Sequence, residues 1–452
     1  MSEATATPPK DPRAMLQKHG AQALRAAAVD AEPWEPEVEP EPQAAPARFF
    51  YDGVKYYLDT GREFVPMDCR SVTRHLRAGG CNPAAVDAAI CEIQTVAFVH
   101  HAGPLAGLDR GLHIMNGHRL LATTSPKIPQ AVAGEWQTLR AVIHGLLDDP
   151  EGPQVHTFLA WLKFARESLV ARRYRPGQAL ALAGPRNCGK SLLIDVLEVA
   201  LGGRRGNPYP CFTGRTNFNA DIAGAELLAV DDEAGSTDIR ARKALASSIK
   251  SNLFAGAVRV EAKHRGAFTF RPCWRMVIAL NDEPEALLVL PPLTEDVGDK
   301  LSLLRCHKRP LPMPAHTLEE KERFFARLLA ELPALLAWLE SWTVPPELRE
   351  ERCGVRHWHH PELVATLLEL APEGQLSALI DTAESTGGIA LPWEGTAAEL
   401  KALLSACQAT SRDAEKLLGH WQPATGTYLG RLEGERAVKL TKIRGAQRWR
   451  VS

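Results

Sequence analysis

Residues 184–191 read Gly-Pro-Arg-Asn-Cys-Gly-Lys-Ser, and their types and spacing suit one chemistry, the holding of phosphates. In the pattern G-x-x-x-x-G-K-S, backbone N–H groups curl round an anion at the positive end of the helix that follows. Gly184 and Gly189 give the backbone its freedom. Pro185, Arg186, Asn187 and Cys188 complete the cradle. Lys190 reaches the outer phosphates, and the Ser191 hydroxyl is a ligand for Mg²⁺. The flanks agree with this reading: residues 178–183 are a short apolar strand pattern, and residues 191–201 are apolar at helical spacing.

Phosphate chemistry also needs acids, and residues 225–230 are a second apolar strand pattern that ends in Asp231-Asp232-Glu233. An acid at such a strand end holds Mg²⁺ through water, and a neighbouring acid polarises the attacking water. Three acids in a row leave the register open. Asp232 is favoured for the metal and Glu233 for the water, with Asp231 as the alternative metal ligand. A third apolar strand pattern, 274–280, is tipped by Asn281, a polar group suited to sensing the terminal phosphate. Between the second and third strands, residues 258–270 alternate, turn, and alternate again. The turn carries Lys263, His264 and Arg265, a basic hairpin tip that suits a nucleic-acid backbone.

These residues need elements to position them. The chain has 452 residues, 45% hydrophobic and 24% charged, which fits several domains with ordinary cores. Its formal net charge of -1 is unevenly spread, with a Glu- and Pro-rich start and a basic end. The expected organisation is a disordered acidic tail (1–46), a small α+β module (47–134), a helical linker or collar (135–174), an α/β core (175–315), a helical region (316–386) and a C-terminal domain (387–452). In that last domain, Thr396 and Glu399 form a capping box before a helix. Two further helices and a hairpin follow, which makes a winged helix. Its wing carries Lys439, Lys442 and Arg444, and DNA or subunit contact is its expected use. The nine cysteines include no C-x-x-C pair. Cys188 inside the phosphate loop suits a reducing compartment. No signal peptide or apolar run of bilayer length is visible, so a cytoplasmic protein is expected. Cys353, His357, His359 and His360 match no strong zinc spacing, and an unmetallated surface loop is expected there.

Phosphate loop, acidic strand, basic hairpin and Asn-tipped strand, in that order, resemble the superfamily 3 helicases of viruses, phages and plasmids. The helicase part of phage and poxvirus-type primase-helicases is the most similar. Phe218-Asn219, Glu331-Leu-Pro-Ala-Leu-Leu-Ala-Trp338, Trp358-His-His-Pro-Glu-Leu and Trp393-Glu-Gly-Thr-Ala-Ala-Glu-Leu400 also resemble that family, over roughly residues 150–452. The resemblance implies an AAA+-like P-loop ATPase that uses ATP and Mg²⁺. It further implies a hexameric homo-oligomer that moves 3′ to 5′ on single-stranded DNA and unwinds forked DNA in phage or mobile-element replication. Lys263 with His264 would grip DNA, and Asn281 would be the sensor. The family places an arginine finger after the sensor strand. Here the aligned position is Lys300, a point charge without the planar fork, and Arg305 is the alternative. The segment before the core shows no acidic metal motif of a primase, so a separate primase or polymerase is the expected partner, in the bacterial cytoplasm. The rival reading is an AAA+ initiator or loader switch that binds DNA without unwinding it.

Overall fold

Four apolar runs too short for helices form the centre of the fold: Ala179–Ala183, Leu227–Val230, Arg275–Leu280 and Leu301–Arg305. With the edge strand Arg205–Gly206 they make a five-stranded parallel sheet. Across the sheet the order is Leu301–Arg305, Ala179–Ala183, Arg275–Leu280, Leu227–Val230, Arg205–Gly206. Continuous apolar sequence is what a parallel strand buried on both faces requires, and every residue of Ala179–Ala183 is buried. The computed structural model describes residues 49–150, 152–231, 239–261, 266–293, 295–419, 421–433, 438–443 and 446–452. The expected tail, Asp232, Glu233, Lys263, His264, Arg265 and Arg444 lie outside the described residues, as do the side chains of Lys439 and Lys442.

The two faces of the sheet are covered by different layers. Leu180, Leu182, Leu227, Ala229, Val277, Ala279 and Leu304 point to one side. There they meet the helices Gln137–Leu147, Gln154–Val170, Lys190–Ala200 and Leu318–Ser341. The alternate residues, Ala179, Ala181, Ala183, Leu228, Val230, Met276, Ile278 and Leu280, meet the helix Ile239–Leu253 and the hairpin strands Val258–Val260 and Phe268–Phe270. This is the period-2 alternation of a strand, used on both sides.

Helix Leu318–Ser341 starts at a capping box, in which Thr317 and Glu320 each accept from the other's backbone N–H. Its buried Glu331 caps a different helix. Helix Gln137–Leu147 has no side-chain cap of its own, and the Leu139 N–H donates to Glu331 Oε2 at 2.8 Å. Burial pushes the Glu331 carboxyl up, but Leu139, Thr138 and Arg327 outweigh this and hold it below the usual range.

Before the central sheet lie a meander, Phe49–Tyr51, Tyr56–Asp59 and Phe64–Met67, the helices Cys69–Ala78 and Pro83–Thr95, and a second small sheet. In that sheet Gly111–Met115 and His118–Ala122 are joined by Asn116-Gly117, both with positive φ, as a two-residue hairpin turn requires. After the central sheet come the helices Pro361–Leu370 and Pro372–Ser385. They lead to strand Trp393–Gly395, helices Ala397–Ala406, Ser411–Leu418 and Ala424–Leu432, and strands Val438–Ile443 and Ala446–Val451. Strand Ala446–Val451 is the middle of this last sheet. The C-terminal core also takes Leu376, Leu379, Ile380 and Ala383 from helix Pro372–Ser385, which precedes residue 387, where the C-terminal domain was expected to begin. Among the described residues, no single helix is long and apolar enough to cross a membrane.

The segment 353–360 is not the surface loop expected. Cys353 and His360 are buried, His359 Nε2 lies 2.8 Å from the Leu301 carbonyl, and His360 faces Asp149 at 3.4 Å. The Trp358 carbonyl accepts from Leu303 and the His360 N–H returns to Leu303, so the segment is tied to the edge of the sheet.

A buried ion pair joins the small N-terminal sheet to the central one. Glu226 is 1% exposed. It accepts from Arg204 through both oxygens and from the Gly107 N–H at 2.8 Å. Arg204 also donates to the carbonyls of Leu105 and Thr124. Arg204→Ala strands a buried carboxylate and is expected to cost about 3–5 kcal/mol of stability. Urea unfolding of the variant beside the wild type measures it.

Candidate active site

The loop 184–189 joins the end of strand Ala179–Ala183 to helix Lys190–Ala200. Gly189 is the helix N-cap at φ 112°, and Asn187 stands at φ 57°. Left-handed residues set among right-handed ones turn successive N–H groups towards one concave side. Gly184 is required for a different reason. A Cβ there would lie 2.4 Å from the Cys306 carbonyl oxygen.

Lys190 is buried, and its ammonium donates to the carbonyls of Gly184 at 2.7 Å and Pro185 at 2.9 Å. Asn281 Oδ1 lies 3.5 Å from the same ammonium. Asn281 directly follows strand Arg275–Leu280, whose last carbonyl accepts from the Gly184 N–H. Ser191 Oγ lies 3.2 Å from Asp231 Oδ1. Val230, opposite Ile278, is the last paired residue of its strand, so Asp231 is the first acid beyond the sheet. Lys190, Ser191, Asp231 and Asn281 thus meet at the carboxyl end of the parallel sheet, where open α/β sheets bind ligands.

Sequence reasoning missed two groups here. Arg205 donates to Asp195 Oδ1 at 3.1 Å and Asp231 Oδ2 at 3.3 Å. Cys306, which follows strand Leu301–Arg305, shares a hydrogen bond with the Cys188 thiol. That bond is the largest cause that lowers the Cys188 pKa to about 6, with Lys190, 3.8 Å from its sulfur, adding to it against the effect of burial. The doubled arginine at 204–205 is the one sequence signal for Arg205; Cys306 has none.

The two finger candidates lie at opposite ends of one strand. The Lys300 carbonyl accepts from Ala179 at the amino end of the sheet. Its ammonium is 2.6 Å from Asp299 and lies over the Phe254 ring. Arg305 is level with Ala183 at the carboxyl end and pairs with Glu362. Arg186 is exposed, 3.8 Å from Glu283. A cleft beside the loop is lined by Cys188, Gly189, Leu192, Val142, His307 and Pro310. A larger cavity of about 580 Å³, lined in part by Lys163, Arg175 and Trp342, lies elsewhere and touches none of these site residues.

The base of the basic hairpin is firmly held. Asn219 donates to the Arg259 carbonyl at 2.9 Å and accepts from the Glu261 N–H at 2.7 Å. From the N-terminal sheet, Asn116 reaches the Thr269 carbonyl, and the His101 ring lies 4.6 Å from that of Phe268.

With this geometry in view, the fold is a known one. The chain superposes on the apo C-terminal region (305–718) of NrS-1 with a TM-score of 0.54 and 13% identity, covering 89% of this chain and 95% of that one. It shares that fold. A second form of the same region agrees, with a TM-score of 0.53 and 14% identity over 89% and 96% of the two chains. The fit to Cch of SCCmec type IV, an active helicase, is loose: TM-score 0.29 and 10% identity over 84% and 70%. The model of a family of unknown function, DUF5906, matches residues 182–294. No curated protein matches the sequence.

Cys188 alkylation is expected to follow a thiolate that forms above about pH 6. Cys353, pushed up to about 12 by burial, should stay unmodified throughout that range. Peptide mass spectrometry after iodoacetamide pulses from pH 5 to pH 9 reads both, the range being set by the ordinary thiol value of about 8.5.

Proposed function

We propose that this chain is an ATP-dependent DNA helicase of the superfamily 3 type, with an AAA+-like P-loop core over residues 175–315. At 13% identity the likeness to NrS-1 speaks for fold alone, so the reading rests on this chain's own residues. The observation that carries it is the meeting of Lys190, Ser191, Asp231 and Asn281 at one end of the sheet. A paired hairpin stands between the strands that bear the last two.

The donor set fits the implied cofactors. The Ser191 hydroxyl and Asp231 carboxylate are hard oxygen ligands, as Mg²⁺ prefers. Lys190 is the cation for the outer phosphates. Bound ATP with Mg²⁺ would supply the transferable phosphoryl group and neutralise its charge. The Ser191–Asp231 contact favours Asp231 over Asp232 for the metal. Asp232 and Glu233 are then left to orient the attacking water, and Asn281 to sense the terminal phosphate.

In a hexameric ring, Lys300 or Arg305 would act on the neighbouring subunit's nucleotide. Lys263, His264 and Arg265 would grip single-stranded DNA from a hairpin whose base Asn219 and Asn116 hold. The C-terminal helices and three-stranded sheet support the winged-helix reading, with Lys439, Lys442 and Arg444 towards DNA. Forked DNA and a separate primase or polymerase are the proposed partners.

Wild-type protein is expected to hydrolyse ATP faster with single-stranded DNA and to separate a forked duplex. Lys190→Ala should lose at least about 10²-fold in hydrolysis, the scale of removing a charge-stabilising donor. Lys263→Ala should keep basal hydrolysis and lose the DNA stimulation. ATP hydrolysis without strand separation would sink the helicase reading and leave an initiator or loader switch.

A further inference from the structure

We infer that Arg205 is a positioning residue for the site's metal-binding carboxylate: it fixes the rotation of Asp231, so that one oxygen faces Ser191. This rests on the nucleotide and metal reading above.

The geometry divides the work between two oxygens. Asp231 Oδ1 accepts from Ser191 Oγ at 3.2 Å, and Asp231 Oδ2 accepts from Arg205 at 3.3 Å. An aspartate's terminal torsion is broad and roughly two-fold, so a carboxylate at the end of a strand does not by itself keep one oxygen on its neighbour. A guanidinium on the far oxygen does. Arg205 is anchored in turn, because its other arm donates to Asp195 at 3.1 Å. Asp195 lies one turn after Ser191 on the same face of helix Lys190–Ala200. One planar fork therefore ties the helix that bears the hydroxyl to the strand end that bears the acid. A lysine, as a point charge, makes no such two-armed brace.

The other uses of an arginine at this place fit less well. The side chains of Arg205, Asp195 and Asp231 are 28%, 49% and 18% exposed, and pairs this exposed add little to stability. The neighbouring Arg204 has the buried structural role, on Glu226. A guanidinium committed to two carboxylates is also poorly placed to take a DNA phosphate. The arrangement keeps two acids together beside the metal position. Burial raises the Asp195 carboxyl above its ordinary range and Asp231 adds to this, while Arg205 opposes both.

The experiment is equilibrium binding of a fluorescent ATP analogue to the full chain, first in EDTA and then with Mg²⁺ titrated in. Arg205→Met should bind the analogue in EDTA as wild type does. It should then need roughly tenfold more Mg²⁺ to reach half of the metal-dependent tightening, the scale at which outer-shell partners tune metal affinity. Arg205→Lys should fall between the two, and its thermal melt beside wild type guards against a folding defect. Wild-type and Arg205→Met curves with the same Mg²⁺ midpoint would overturn the inference and leave the site reading intact. If wild type bound no analogue at all, the site reading would fail and take the inference with it.

Discussion

The double burial of Ala179–Ala183 is the constraint on which the rest of the structure depends. Both faces of this strand are covered and both edges are hydrogen-bonded, to Arg275–Leu280 and to Leu301–Arg305. A strand enclosed in this way can present polar chemistry only where it ends. All the strands run parallel, so they end together, and each delivers its next residues to the same place: Gly184, Asp231, Asn281 and Cys306. The site is a product of parallel pairing more than of any single motif. Parallel pairing in turn demands helices on both faces. Those helices supply Ser191 and Asp195, as well as Val142 and Leu192 of the cleft.

Buried charge holds the layers in register around that sheet. Arg204 and Glu226 link the N-terminal sheet to the central one. Glu331 joins helix Leu318–Ser341 to helix Gln137–Leu147 by capping the latter. Arg275, fully enclosed at the start of its strand, spends its donors on the carbonyls of Arg175 and Trp274, and burial lowers its pKa to about 10. It also explains Gly177, where a Cβ would lie 2.7 Å from the Arg275 Nε. Such groups add little net stability when intact and are costly to break. What they contribute is a unique arrangement, and a site built from four separate strand ends needs one.

This division decides what was legible in the sequence. Three of the central strands were visible because a strand buried on both faces has no polar positions to disguise it. The capping box at Thr396 was visible because it is local and complete within a few residues. Long-range partners were not. Nothing in the spacing pairs Arg204 with Glu226, Glu331 with the Leu139 N–H, or Cys188 with Cys306, since each pairing exists only once the sheet has formed. The acid register stayed open for the same reason. Three acids in a row look alike until the ladder shows that pairing stops at Val230. The segment 353–360 was misread because its spacing matches no metal site and shows no long-range partner, whereas the backbone of Trp358 and His360 bonds to Leu303 at the sheet edge.

The state of the loop itself constrains what can bind there. The Lys190 ammonium is buried and satisfied by two neutral carbonyls. A neutral ligand that displaces one of these carbonyls, or the Asn281 amide oxygen at 3.5 Å, exchanges like for like and gains nothing. An anion exchanges a neutral acceptor for a charged one, and such hydrogen bonds are roughly twice as strong. The self-satisfied lysine is thus a filter for anions rather than an obstacle to them. The same reasoning applies to the residue proposed to act from a neighbouring subunit. Lys300 and Arg305 are each paired within their own chain, to Asp299 and Glu362. Either would have to leave a carboxylate for a phosphate. Arg305 is the more exposed of the two, at 32% against 13%, and it carries the planar fork that two phosphate oxygens can share. On those grounds the exchange is easier for Arg305, although Lys300 holds the position where the superfamily 3 resemblance expects the arginine.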